Sequence, residues 1–306
     1  MAGMKPATAT SATIKRARSA PLLSHKFMAR VKNVLIWVVI IIATIWCFFP
    51  FYWAIITSFK EPGVILTKPS LIPFVHFKPT LVNWEGEFTN RLPEISRGLG
   101  NSLIIAVGAA AIAVSIGTLV GYGLARFRFR RWKNRDMSMW FLSQRFLPPM
   151  VTAIPFFLVM KSLNLLDTQL ALILANATFT MPFAVLIMQD VFRELPRELE
   201  ESAYVDGASW FTAFWHIALP LAAPAIAAAA VICFAFAWNE FLFGLILTYQ
   251  KAQPITVVIA GVEHTQGIQF WFVATRLLLA ILPPTLLALT AQRYIVRGLT
   301  FGAVKG

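Results

Sequence analysis

Six stretches of this chain are each long and apolar enough to cross a lipid bilayer: 34–57, 101–125, 137–160, 168–192, about 217–247 and 272–292. A hydrocarbon layer about 30 Å thick takes roughly 20 apolar residues of helix. Within it every backbone N–H and C=O needs a partner from the chain itself, so continuous apolar runs of this length predict helices. Little remains to build a soluble body. Only 13% of the 306 residues are charged, about half the roughly 25% of an average soluble protein. With 58% hydrophobic residues the chain is not disordered. With two cysteines, Cys47 and Cys233, both inside apolar runs, it is not a disulfide scaffold. The expected class is an all-α, polytopic membrane protein with six transmembrane helices.

Charge placement orients those helices. The formal net charge is +13, from 27 Lys and Arg against 14 Asp and Glu. Such a balance invites a nucleic-acid reading, but the cations sit mainly at the ends of apolar runs, where membrane topology is set. The segments before the first run, between the second and third, between the fourth and fifth, and after the sixth carry 18 of them. The alternate loops carry 7, and Arg145 and Arg276 lie inside apolar runs. The positive-inside rule therefore puts both termini in the cytoplasm. The first run is too long for a signal-peptide core and is followed by no convincing cleavage site, so it reads as a retained span. The expected organisation is a basic cytoplasmic tail over 1–33, a six-span domain over 34–296, and a cytoplasmic tail over 297–306.

Catalytic and metal chemistry find no support. No G-x-x-x-x-G-K-[ST] phosphate loop occurs. The four histidines are far apart and none forms an H-E-x-x-H pair, so neither a metal site nor a catalytic residue is expected. A membrane enzyme is accordingly a minor reading.

The loop at about 193–220 breaks the charge pattern. Over 193–220 it carries five acids against two arginines in a strongly basic protein. Pro196 suits a first helical position, Glu198 favours the positive helix N-terminus, and Gly207 suits a helix end because it tolerates positive φ. Trp210, Phe214 and Ile217 then share one helical face, as do Phe211 and Trp215. A short acidic helix pair braced by aromatics is a knob that another protein can hold. An interfacial loop anchored by those aromatics is the plainer alternative.

The spacing in this loop is specific. Glu201-Ser202-Ala203, three residues, Gly207, nine residues and Ile217-Ala218-Leu219-Pro220 resemble the EAA loop of ATP-binding cassette (ABC) importer permeases, whose pattern is E-A-A-x3-G-x9-I-x-L-P. Ser202 is the single departure. Phe51-Tyr-Trp-Ala-Ile-Ile-Thr-Ser-Phe-Lys60, Asn101-Ser102, Ala125-Arg-Phe-Arg-Phe-Arg130, Pro196-Arg-Glu-Leu-Glu200, Trp238-Asn-Glu-Phe-Leu242 and Gly298-Leu-Thr-Phe-Gly302 are similar to the sugar-importing branch. Within it the chain is most similar to the six-span partner subunit of the maltose importer. The resemblance runs from about residue 34 through most of the chain.

It implies a type I ABC importer permease fold in a bacterial or archaeal type inner membrane. The implied partners are a second permease subunit forming a heterodimer, two copies of an ABC ATPase that carry the ATP and Mg, and a soluble extracytoplasmic solute-binding protein. This chain itself would hold no cofactor, and no nucleic acid is a partner. The implied ATPase-coupling residues are Glu201, Ser202, Ala203, Asp206, Gly207, Ile217, Leu219 and Pro220. Gln250, Lys251, Glu263, His264 and Gln266 correspond to the segment that reaches the binding protein, and the basic C-terminal tail to one that touches the ATPase dimer.

Polar residues inside apolar runs cost free energy and point to a pathway. Gln144, Arg145, Asn176, Trp238, Asn239, Glu240 and Arg276 are the candidates for lining it, with packing between helices as the alternative role. Counting 1.5 Å per residue puts Glu240 near the outer face and Arg145 on the cytoplasmic side. An Arg145–Glu240 pair is therefore not expected; a Glu240–Arg276 contact closing the outer end of the pathway is one reading, and snorkelling of each side chain to the outer headgroups is the other. Gly117 and Gly121 read as close packing, and Pro148, Pro149 and Pro155 as kinks. The leading function is import of a carbohydrate or sugar-like solute. An ATPase-independent secondary transporter or channel is the alternative, and an anionic solute such as a glycerol phosphate or a sulfonated sugar remains open.

Overall fold

The computed structural model describes residues 25–67, 70–261, 263–264 and 267–300. In chain order the helices are α1 (His25–Ser58), α2 (Pro62–Thr67), α3 (Val82–Asn90), α4 (Leu92–Arg126), α5 (Asn134–Gln144), α6 (Pro149–Ser162), α7 (Gln169–Glu194), α8 (Glu198–Val205), α9 (Trp210–Ala213), α10 (Leu219–Trp238), α11 (Leu242–Leu247), α12 (Ile255–Ala260) and α13 (Phe270–Thr300). A π-helical turn, Phe214–Ala218, joins α9 to α10. A short antiparallel pairing of Glu263–His264 with Gly267–Ile268 precedes α13. The described chain divides into two units, one through Tyr52 and one from Trp53. In the first, the helix is apolar and exposed on all sides.

The second unit is built on α4 and α7, its most extensively packed pair. Small residues bring the two backbones together. Ala106, Ala109, Ala113, Ala175 and Ala184 are buried. A Cβ added to Gly117 would lie 2.5 Å from the Ala184 Cβ, and one on Gly121 would lie 2.8 Å from the Gln189 backbone nitrogen. In lipid, where apolar side chains have no water to escape, such close approach replaces the hydrophobic effect as the source of packing energy. Helix α10 lies against α4, α7 and α13. Thr168 caps α7 by accepting the Ala171 N–H at 3.3 Å.

Among the described residues five continuous helices are long and apolar enough to cross a membrane, and the number is six where the bent pair is counted as one span. That pair is the span expected over 137–160 with kinks at its prolines, but the chain breaks rather than kinks: α5 and α6 meet at 90°. Pro148 and Pro149 provide no N–H, and a proline pushes the residue before it out of the helical region, so Pro148 is extended at ψ 127°. The fifth run is also shorter than expected. Helix α10 stops at Trp238, and α11 starts afresh because the Glu240 carboxylate accepts the N–H groups of Phe243 (2.8 Å) and Gly244 (3.2 Å).

Candidate functional site

The acidic loop folds as a helix pair. Helix α8 ends where Gly207 takes φ +87° and its N–H reaches the Tyr204 carbonyl. Ser209 then caps α9 by accepting the Thr212 N–H at 3.2 Å. The regular helix expected after Gly207 is interrupted by the π turn, in which the Leu219 N–H bonds back five residues to Phe214. Pro220 explains it, since it has no N–H for the His216 carbonyl four residues earlier. Phe214 is buried against Tyr122 (ring centroids 4.7 Å apart), and Trp210 stacks on Phe127 at 4.1 Å. Phe211 and Trp215 do pair, at 5.9 Å.

The outward surface of this helix pair is mixed acidic and apolar. Glu201, Ser202, Asp206, Gly207 and Pro220 are exposed, while Ala203, Ile217 and Leu219 are half-buried. Beside the acids stand Val205, 87% exposed, and Phe211, 71% exposed. Glu200 points the other way and is buried. It accepts from the Arg126 Nε and from the Tyr122 hydroxyl, both at 2.8 Å, while Arg126 also donates to the Leu195 carbonyl. Arg197 donates to the Ala125 carbonyl at 3.2 Å. The helix pair is therefore clamped to the end of α4. Arg126 and Glu200 fall within the segments 125–130 and 196–200 that resemble the sugar-importing branch, but nothing in either segment pairs them, and Tyr122 lies in no such segment. The four-residue spacing of Tyr122 and Arg126 puts them on one helix face, but their partner lies 74 residues beyond Arg126.

The break between α5 and α6 opens a cavity of about 210 Å³ that brings together Gln144, Arg145, Asn176 and Glu240 with Phe183 and Phe243. The Arg145 guanidinium lies 4.0 Å from the centre of the Phe183 ring. Arg145 and Glu240 thus face one space although they do not pair, because the bend displaces Arg145 from the depth that a straight helix would give it. Asn176 donates to the Leu172 carbonyl at 2.9 Å. The other pathway candidates lie outside this cavity. Trp238 is buried in a stack on Phe234, Asn239 is exposed and donates to the Ala235 carbonyl, and Arg276 is wholly buried elsewhere.

Arg276 does not meet Glu240. Its Nε donates to Glu87 at 2.9 Å and its Nη1 to Glu94 at 3.4 Å and to the Val258 carbonyl at 2.7 Å. Counting residues along spans misses this because the 58–100 segment, expected as a loop, folds into helices that carry Glu87 inward.

At the end of α7 opposite the acidic loop, Asp167 takes φ +56° and accepts N–H groups from Tyr249, Gln250, Lys251 and Ala252 at 2.9–3.2 Å. Asn101 adds bonds to the Lys251 and Gln253 carbonyls. Gln250 and Lys251 are themselves exposed. Gln266 lies outside the described residues, as do the side chains of Glu263 and His264, residues 1–24 of the N-terminal tail and residues 301–306 of the C-terminal tail. Burial raises the Asp167 carboxyl, but the four N–H donors outweigh it and hold the group below its ordinary value of 3.8. A depressed carboxyl contributes stability that is complete above its unfolded value and lost as pH falls through its folded one. The anchor therefore holds throughout the neutral range and fails only below about pH 3.8. Asp167→Asn is expected to cost about 1.5–3 kcal/mol of local stability, read as faster amide exchange at residues 249–252. Unchanged exchange there would show that the carboxylate is not the anchor.

The helix pair, the bent α5–α6 and their neighbours all fall within residues 117–301, which match the family described as binding-protein-dependent transport system inner membrane component. The chain belongs to this family. The trehalose/maltose transport system permease protein of Thermococcus litoralis is 33% identical over 278 residues, covering 90% of this chain and 98% of the relative. The sulfoquinovosyl glycerol transport system permease protein of Agrobacterium fabrum is 31% identical over 263 residues, 84% of this chain and 89% of the relative. Among solved structures, a bacterial ABC transporter involved in import of the acidic polysaccharide alginate superposes with a TM-score of 0.73 at 19% identity, over 90% of this chain and 99% of that one. The expected importer permease fold is thereby shown, and the chain is an inner-membrane transport component.

Proposed function

We propose that this chain is a permease subunit of an ATP-driven importer for a carbohydrate or sugar-like solute. Its acidic helix pair would seat on a cytoplasmic ATPase subunit and carry nucleotide-driven closure into the spans. The observation that carries this reading is that one loop combines an exposed acidic and apolar surface with a buried clamp on α4. The exposed surface suits a protein partner, and the clamp suits the transmission of force. Support for the solute class comes from relatives named for trehalose/maltose and sulfoquinovosyl glycerol.

The reading includes a second permease as heterodimer partner, two ATPase copies that hold the ATP and Mg, a solute-binding protein meeting the side that carries Gln250 and Lys251, and both termini in the cytoplasm. The cavity at the α5–α6 break would touch the solute through its aromatic rings and through Gln144, Asn176 and Arg145. One observation favours an anionic member of this class. Among the described residues no carboxylate lies within 4 Å of Arg145, so a sulfonated or carboxylated sugar would meet a cation with no competing ion pair.

The test is purification of the complex from native membranes in mild detergent, followed by uptake and ATP hydrolysis in liposomes. Near-stoichiometric recovery of an ATPase and a second permease is expected. Glu201→Lys with Gly207→Val should abolish uptake and ATPase recovery together. Transport by this chain alone, unaffected by those substitutions, would establish a secondary transporter instead.

A further inference from the structure

Five exposed cations crowd the turn from α4 into α5: Arg128, Arg130, Arg131 and Lys133 between the two helices, and Arg135 in the first turn of α5. Among the described residues none of them forms an ion pair, whereas their neighbour Arg126 is taken up by Glu200. The nearest acid in sequence is Asp136, in the first turn of α5. The segment is held in one shape by Asn134. Its amide donates to the Leu124 and Phe127 carbonyls at 2.8 and 2.6 Å, and its oxygen accepts the Phe129 N–H at 3.2 Å.

The same segment borders a groove of about 670 Å³ with almost wholly apolar walls, to which it contributes Phe129 and Trp132, neighbours in sequence of Arg128, Arg130, Arg131 and Lys133. The last two turns of α4 form one wall, from Leu119 to Leu124. Trp132 and, on α5, Met137, Trp140 and Phe141 form the other. Gly123 lines the groove, and a Cβ added there would meet nothing within 4 Å, so the space over it is open. Leu119 lies seven residues before Arg126, roughly 10 Å along the helix axis. The groove therefore begins at the depth of the cations and descends about as far as the first part of an acyl chain. Tryptophans beside it suit the headgroup boundary, where an apolar ring with a polar N–H is most stable.

We propose that this groove is a binding site for an anionic phospholipid, with the phosphate held by the Arg128–Arg135 cluster and one acyl chain laid along α4 over Gly123. The choice of occupant follows from charge and shape together. A zwitterionic lipid leaves the cations without a net countercharge, and walls that are almost wholly apolar suit an acyl chain rather than the polar backbone of a peptide. Each cation beside an anionic surface contributes about fivefold in affinity, equivalent to about 1 kcal/mol. Several acting at fixed positions lift one lipid well above the exchanging annulus.

Native mass spectrometry of the intact complex in nanodiscs of equal phosphatidylglycerol and phosphatidylcholine tests the site. The expected result is one retained phosphatidylglycerol, unaffected by millimolar inorganic phosphate. Arg128→Gln with Arg130→Gln and Arg131→Gln should cut that retention tenfold or more. Gly123→Leu should remove it while leaving the melting temperature of the complex unchanged, because the new side chain fills the groove rather than a protein contact. The two variants act on different parts of the site, so misfolding of one leaves the other decisive. Equal retention of both lipids, or unchanged phosphatidylglycerol in a folded variant, would overturn the proposal. So would cross-linking of Gly123→Cys to the partner permease, which would show a protein in the groove.

Discussion

Arg276→Met is expected to destabilise the protein by about 3–5 kcal/mol, the cost of leaving a buried ion without its partner. Both members of the Arg276–Glu87 pair have side chains with no exposure, and they meet at 2.9 Å. Removing the guanidinium leaves the Glu87 carboxylate enclosed with no cation, and also frees the Val258 carbonyl that Arg276 holds at 2.7 Å. The consequences extend beyond one contact. Glu87 belongs to α3, whose Asn83 donates to the Ser58 and Lys60 carbonyls at 2.9 and 2.7 Å. The arginine thus ties the segment after α1 to the last span. The pair also has slack, since Glu87 Oε1 and Arg276 Nη2 are buried without partners. For that reason Arg276→Met combined with Glu87→Leu should recover much of the loss, because an apolar pair of similar volume carries no desolvation penalty. Thermal unfolding of the complex in detergent reads both effects. A single variant as stable as the parent, or a double variant no better than the single, would remove the ion pair from its assigned role.

Most of the architecture was legible because lipid imposes a simple rule on sequence: one long apolar run, one helix. Four of the six runs, the first, second, fourth and sixth, each lie to within a residue in a single continuous helix on that rule. The exceptions are places where local chemistry overrides it. Pro148 and Pro149 read as a kink, yet their size of effect, a 90° turn, depends on what packs around the break. Glu240 read as a charge inside a span and is instead the start of a new helix, a capping role that composition alone does not reveal. Within the candidate sites, the loop was legible through spacing, and Gly207 adopts the positive φ that its position suggested. What was not legible depends on long-range pairing. Glu200 was one acid among five, and Arg126 one cation among six, until the fold placed them 2.8 Å apart. Arg276 was assigned the wrong carboxylate because depth along a helix is inferred from sequence, whereas the return of a loop into the protein is not.

The Glu200 clamp supports the second large effect. Its carboxylate takes hydrogen bonds from Arg126 and Tyr122 on α4 and, at 3.5 Å, from Tyr204 on its own helix. The side chains of Glu200 and Arg126 are only 5% and 6% exposed. Glu200→Ala would strand the Arg126 charge in a site where one of its nitrogens, Nη1, is already without a partner. The expected cost is about 3–5 kcal/mol, concentrated where the helix pair meets α4. Local opening of that order loosens the helix pair from the spans without removing the exposed surface formed by Glu201, Val205 and Phe211. Under the proposed function, binding to the ATPase would then survive while transmission of its closure fails. Uptake should fall at least tenfold with ATP hydrolysis retained. Glu200→Gln, which keeps an acceptor for Arg126 and Tyr122 but no charge, should lie between the two. Glu201→Lys, on the exposed side, should instead weaken ATPase recovery and leave the amide exchange of residues 198–205 unchanged. The contrast separates holding the partner from pulling on the spans. Should Glu200→Ala lose ATPase recovery and uptake in equal measure, the clamp would be a folding element of the loop rather than a link between loop and span.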